Sequence, residues 1–152
     1  MDEKFMKRAL LCAKKAESLG EVPVGAVITR NGQFVSSGYN RREIGKNALL
    51  HAEITAINRA CKKLGGWRLH ECEMYVTLEP CPMCAGAIIN SRIKTVYIGA
   101  KDLKAGSFGS ICDLSQMPYN HKPEIIFGIL EEESRAELKQ FFKELRKKSK
   151  KQ

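Results

Sequence analysis

Two short segments, His51-Ala52-Glu53 and Pro80-Cys81-Pro82-Met83-Cys84, constrain the fold of this chain more than any other feature. Both stand where a helical pattern opens. Pro82 suits a first helical turn, where its missing N–H is not needed. Cys81 and Cys84 are three apart and face one side of that turn. Thiols at a helix N-terminus lie in the positive end of the dipole, which favours thiolate. His51 and Glu53 are only two apart, about 200° around a helix. They converge on one point only if the helix starts there and the longer Glu53 reaches back. That geometry divides the work, with His51 as a ligand and Glu53 as a proton shuttle. The fold must bring two such helix N-termini side by side, next to a sheet.

One imidazole and two thiolates make a zinc ligand set. Three protein ligands leave the fourth tetrahedral position open, which marks a catalytic site rather than a structural one. A carboxylate beside that position can serve as general acid and base. Each part alone has a plainer explanation. A lone histidine is more often structural, and Cys-Pro-Met-Cys fits a redox dithiol. The combination argues against the dithiol, which has no use for His51-Ala52-Glu53.

The rest of the chain supplies the frame. Residues 3–19 carry apolar side chains at helical intervals and stop at Gly20. Val22–Thr29 reads as a buried strand, Asn31-Gly32 as a hairpin turn, and Phe34–Tyr39 as its return strand. Gly25 serves either helix packing or the close approach of a ligand. A polar, basic loop over residues 40–50 leads to His51, which opens a helix to about Lys63, ended by Gly65-Gly66. Trp67 is expected to anchor packing. Glu73–Leu78 is a third strand that delivers the chain to the cysteines. Pro82–Asn90 is a helix apolar almost all round, hence buried in the core or against another subunit. Lys94–Gly99 and Ile125–Ile129 are further strands, separated by a long, functional or partly helical loop. Glu131 to about Lys148 is the last helix, with Leu138, Phe141, Phe142 and Leu145 on one stripe and at least one phenylalanine in the core. A hairpin followed by strand–helix alternation implies an α/β fold with a mixed sheet covered by helices on both faces. One domain over residues 1–152 is expected, since that length supports a proper core.

Composition narrows the setting. No apolar run is long enough for a membrane span, and the first residues lack the core of a signal peptide, so a cytoplasmic protein is expected. Cys12, Cys61, Cys72 and Cys112 are scattered singly and read as reduced thiols. The net charge is +9, which suits a polyanionic partner. The excess is uneven: residues 135–152 hold eight basic and two acidic side chains. The basic helix and tail over about 131–152 are therefore the candidate phosphate-binding surface.

The motif pair resembles the H-x-E and P-C-x-x-C signature of the zinc-dependent nucleobase deaminases. The likeness extends further. Val22-Pro23-Val24-Gly25-Ala26-Val27, Gly38-Tyr39-Asn40, the run from Tyr75 to Ile88, Ser91-Arg92-Ile93 and Gly99-Ala100-Lys101-Asp102 resemble the bacterial tRNA adenosine deaminases in the same order. One stretch departs: Asn47-Ala48-Leu49-Leu50 stands where Asp-Pro-Thr-Ala is expected.

The resemblance implies a three-layer α/β/α cytidine-deaminase-like fold with a five-stranded mixed sheet. It implies one zinc ion per subunit on His51, Cys81 and Cys84, with Glu53 catalytic. The implied reaction is hydrolysis of adenosine to inosine at the wobble position of a tRNA anticodon, releasing ammonia. It assigns Val24, Asn40, Ala52 and Pro80 to the base pocket and Asp102 to the nucleotide backbone. Phe142 is a candidate to stack on RNA. A homodimer is implied, with a tRNA anticodon stem-loop as partner and no membrane. Three alternatives stay open at this stage: a deaminase of a free base or nucleoside, a redox dithiol protein, and a non-catalytic zinc module that binds RNA.

Overall fold

The computed structural model describes residues 1–150. Its elements follow in the order α1 (Glu3–Ser18), β1 (Gly25–Arg30), β2 (Gln33–Tyr39), α2 (Ala52–Leu64), β3 (Cys72–Leu78), α3 (Pro82–Asn90), β4 (Thr95–Ala100), β5 (Glu124–Phe127) and α4 (Glu131–Lys150), with a single 3-10 turn at Leu114–Gln116 before β5. The five strands form one sheet ordered β2-β1-β3-β4-β5. β1 runs antiparallel to β2 and β3, while β3, β4 and β5 run parallel. This is the expected mixed α/β sheet.

Residue alternation explains the layers. Ala26 and Ile28, Met74 and Val76, and Val96 and Ile98 point to one face, where they pack with Ala52, Ala56, Ala85 and Ile88 of α2 and α3. Val27, Tyr75 and Tyr97 point to the other, where they meet Phe5, Met6 and Ala9 of α1. The central strands are thus apolar on both sides because both sides are covered. Close approach is bought with glycine at two points. A Cβ on Gly25 would overlap the backbone of Ala9 and Ala13 in α1, and one on Gly38 would overlap the backbone of Ala52 and Ala56 in α2. Gly25 is therefore a packing glycine. Asn31 and Gly32 both have positive φ, 52° and 74°, as the expected type I′ hairpin turn requires.

Several expectations need adjusting. β1 starts at Gly25 rather than Val22; Val22 and Val24 instead wall a cleft, and the backbone N–H of Asn40 donates to the carbonyl of Val24. Trp67 is not a packing anchor. It is 51% exposed, with the guanidinium groups of Arg68 and Arg92 over its ring. Neither Phe141 nor Phe142 is in the core: Phe141 is half-buried and Phe142 is exposed. The reason is length. α4 has 20 residues, about 30 Å, and outruns strands of six or seven residues. Only Ser134 in it is fully buried, at the point where Gly99 of β4 lets the helix close in. The four scattered cysteines are free thiols. The last basic residue of the tail, Lys151, lies outside the described residues.

Candidate active site

His51 and Cys81 hold the same position on two helices. Each is the residue that caps the N-terminus, in extended conformation, with φ −78° and ψ 156° for His51 and φ −72° and ψ 174° for Cys81. Neither side chain makes a capping hydrogen bond. Both are therefore free to turn toward the gap between the helices. Pro82 follows at the first helical position, and Cys84 comes round from the first turn of α3. Glu53 sits in the first turn of α2. This resolves the 200° problem, because the helix begins between His51 and Glu53.

The Nδ1 of His51 lies 3.6 Å from Sγ of Cys81 and 3.4 Å from Sγ of Cys84. All three donor atoms fall within 4.8 Å of one another. Tetrahedral zinc with bonds of about 2.3 Å to sulfur and about 2.0 Å to nitrogen separates such donors by about 3.5 Å. The donor set and its spacing thus fit a zinc ion, with Nδ1 as the facing nitrogen.

The electrostatics agree with a ligand set. Cys81 is drawn down to about 4, chiefly by the hydrogen bond from the Cys84 thiol and also by His51. Cys84 is pushed up by that same hydrogen bond and by burial. The two sulfurs therefore hold one proton between them, and binding a cation would release it. His51 is raised, first by its hydrogen bond with Cys81. Glu53 is 3% exposed, and burial pushes its carboxyl up to about 7. A group near neutrality can both accept and donate a proton at working pH.

Above these residues opens a cleft of about 130 Å³, a volume of the order that takes one aromatic ring. It lies beyond the carboxyl ends of β3 and β4, where ligands of open α/β sheets bind. Its walls include Val24, Asn40, Ala52 and Asp102 together with His51, Glu53 and Cys81. Pro80 is buried behind the cleft and its carbonyl accepts from the N–H of Ser107. Phe142 lies on α4, outside the cleft walls.

Asn40 is held rigidly: its Nδ2 donates to the Val22 carbonyl at 3.3 Å, and its Oδ1 accepts from the Arg42 N–H at 3.2 Å. One N–H and one lone pair stay available for a ligand. Sequence reading missed Val22, Arg42, Leu78 and Glu79, which also line the cleft. Leu78 and Glu79 had a usable signal, since they directly precede the cysteine motif. Arg42 sits in the basic loop before His51 and had only its charge.

The departure at Asn47-Ala48-Leu49-Leu50 leaves the loop intact. Asn47 Oδ1 accepts from the Leu49 N–H at 2.9 Å, the local turn that an Asp side chain also makes. The Leu50 carbonyl then ties back to the Arg41 N–H at 3.0 Å, and His51 N–H donates to Leu49 at 2.8 Å.

The sequence matches the cytidine and deoxycytidylate deaminase zinc-binding region over residues 1–100. It is 50% identical to a tRNA-specific adenosine deaminase of Bacillus subtilis (strain 168), over 98% of this chain and 93% of that one. Its fold is similar to a solved structure from work on A-to-I editing by tRNA:A34 deaminases at the wobble position, with TM-score 0.88, 40% identity, and coverage of 90% of this chain and 100% of the other. A guanine deaminase from Bacillus subtilis is similar at TM-score 0.63 and 32% identity, covering 79% of this chain and 88% of its own.

Proposed function

The chain belongs to the cytidine and deoxycytidylate deaminase family, and from that premise we propose that it hydrolyses adenosine to inosine at the wobble position of a tRNA anticodon. The observation that carries the substrate is the end-to-end similarity to a tRNA-specific adenosine deaminase. The cleft supports the chemistry, because a buried carboxyl near neutrality stands beside one imidazole and two thiols spaced to hold a zinc ion.

His51 Nδ1, Cys81 Sγ and Cys84 Sγ hold one zinc ion per chain. When bound, the ion supplies the Lewis acidity that makes water a nucleophile near neutral pH. Glu53 takes a proton from the attacking water and passes it to the ring nitrogen beside the reacting carbon. A second proton goes through Glu53 to the exocyclic amine. The new C–O bond replaces the C–N bond, and ammonia leaves with no change of oxidation state. Asn40 offers its remaining donor and acceptor to the purine edge, while Val24, Ala52 and Pro80 shape the pocket. Asp102 meets the nucleotide backbone at the rim. The base must be extruded or unpaired to reach the floor of the cleft, which suits an anticodon loop. Phe142 and the basic end of α4 lie outside the cleft and serve the flanking RNA. The chain acts as one domain, in the cytoplasm, as a homodimer whose partner extends the RNA surface. No described helix is long and apolar enough to cross a membrane.

The test is to incubate the purified protein with an anticodon stem-loop carrying a wobble adenosine, and separately with free guanine, cytidine and adenosine. Inosine in the stem-loop without turnover of the small molecules supports the reading. Turnover of a free base instead would keep the zinc chemistry and overturn the substrate.

A further inference from the structure

Glu79 is a carboxylate with an unusual set of partners. It is 2% exposed and sits between the end of β3 and the ligand Cys81. Among the described residues no cation pairs with it. Its charge is met by one loop alone. Oε1 accepts from the backbone N–H of Asp102 at 3.1 Å and from the hydroxyl of Ser110, and Oε2 accepts from the N–H of Phe108 and of Ser110, each at 3.1 Å. Donors converging in this way form an anion-binding nest, here filled by the protein's own side chain. The fit is tight: a Cβ on Gly106 would overlap the Glu79 carboxylate.

The same loop carries a wall of the cleft. Asp102 lines it, and its Oδ1 accepts from the N–H of Lys104 and of Ala105. The backbone of Asp102 is thus fixed from one side by Glu79 and its side chain from the other by its own turn. Glu79 is also joined to the metal side through the chain itself, two residues before Cys81.

We propose that Glu79 is a positioning residue for the substrate: its buried carboxylate pins the 102–110 loop and so sets Asp102 over the cleft. The assignment rests on the reading of Asp102 as a substrate contact. A merely structural carboxylate would lower stability and leave the balance of binding and turnover alone. A clamp acting through Asp102 moves KM for the stem-loop and leaves kcat and metal content in place.

Glu79→Gln turns one acceptor oxygen into a donor that faces at least one backbone N–H in either orientation of the amide, and removes the charge. Gly106→Ala disturbs the same contact from the loop side, should the first variant fold poorly. Both are expected to raise KM for the stem-loop by about tenfold or more, because hydrogen bonds to a charged group are lost, with kcat within about threefold and zinc content unchanged. Asp102→Ala gives a similar rise, and Glu79→Gln combined with Asp102→Ala adds nothing further, since the two act in one chain. Amide exchange at Asp102, Phe108 and Ser110 speeds up in Glu79→Gln while that of α3 does not. Additive effects in the double variant, a fall in kcat with loss of zinc, or unchanged exchange at those three amides would overturn the proposal. Absence of stem-loop editing by the unaltered protein would instead overturn the substrate reading, and the exchange measurement would still decide whether Glu79 holds the loop.

Discussion

Nδ1 of His51 stands 3.4 Å from Sγ of Cys84, across 33 residues of sequence. The contact exists because α2 and α3 start side by side on one face of the sheet. His51 caps its helix in backbone conformation only, so its ring is not needed for the fold. His51→Ala is expected to weaken zinc binding by more than about a hundredfold, since loss of even an outer partner costs 10–100-fold. The melting temperature of the metal-free protein should not move. Metal analysis after dialysis, paired with a thermal melt, checks both halves. Full retention of zinc would remove His51 from the ligand set.

The position of His51 depends in turn on Gly38. A Cβ there would meet the carbonyl oxygen of Ala52 and the N of Ala56, both backbone, so α2 has to shift. Gly38→Ala should destabilise the protein by about 1–3 kcal/mol, as overpacking does, and weaken zinc binding as well. Gly66→Ala, whose Cβ would enter open space, is the matched control and should do neither. Equal stability of the two variants by chemical denaturation would contradict this account.

Much of this was legible in the sequence because its signals are local. The Asn31-Gly32 turn, Pro82 at a helix start, and the apolar run through β1 each depend on neighbours a few residues away. Val22 and Val24 read as strand because they are apolar and β-branched, yet they serve the cleft rather than the ladder. Trp67 and Phe142 were misjudged or left open because hydrophobicity does not reveal which face of a loop or a long helix has something to pack against. The position of Glu79 beside the cysteine motif is a sequence signal, but the partners of its carboxylate are not, since they come from a loop more than twenty residues on.

Glu137 gives a pH prediction away from the site. Burial pushes its carboxyl from the ordinary 4.5 to about 7, with Lys14 opposing and Glu17 adding to the rise. Between those values the folded state binds more protons than the unfolded one. Stability from this group is therefore present at low pH and lost as pH rises from about 4.5 to about 7. Glu137→Gln should remove that slope, so the variant gains on the unaltered protein as pH rises from 5 to 8. Denaturant midpoints of both proteins across that range check the sign. A difference that stays constant with pH would contradict it.

The basic end of α4 should act through phosphates. Replacing Arg146, Lys147, Lys148 and Lys150 by Gln removes four exposed charges. Stability should stay the same. Affinity for the stem-loop should fall, and the slope of log affinity against log salt should flatten by up to about 3, at about 0.7 per single-strand phosphate contact. Binding titrations at several salt concentrations measure both. An unchanged slope would show that this segment is only a solvated end.

The most direct test is Glu53→Gln, with zinc and inosine measured on the same sample. The side chain keeps its size and its buried place in the first turn of α2 but loses the titrating proton. The expected result is a folded protein that retains its zinc and forms inosine in the wobble-adenosine stem-loop at least about a hundredfold more slowly, the scale of general acid–base catalysis. Inosine formation at the unaltered rate would contradict the assignment of Glu53 as the proton shuttle.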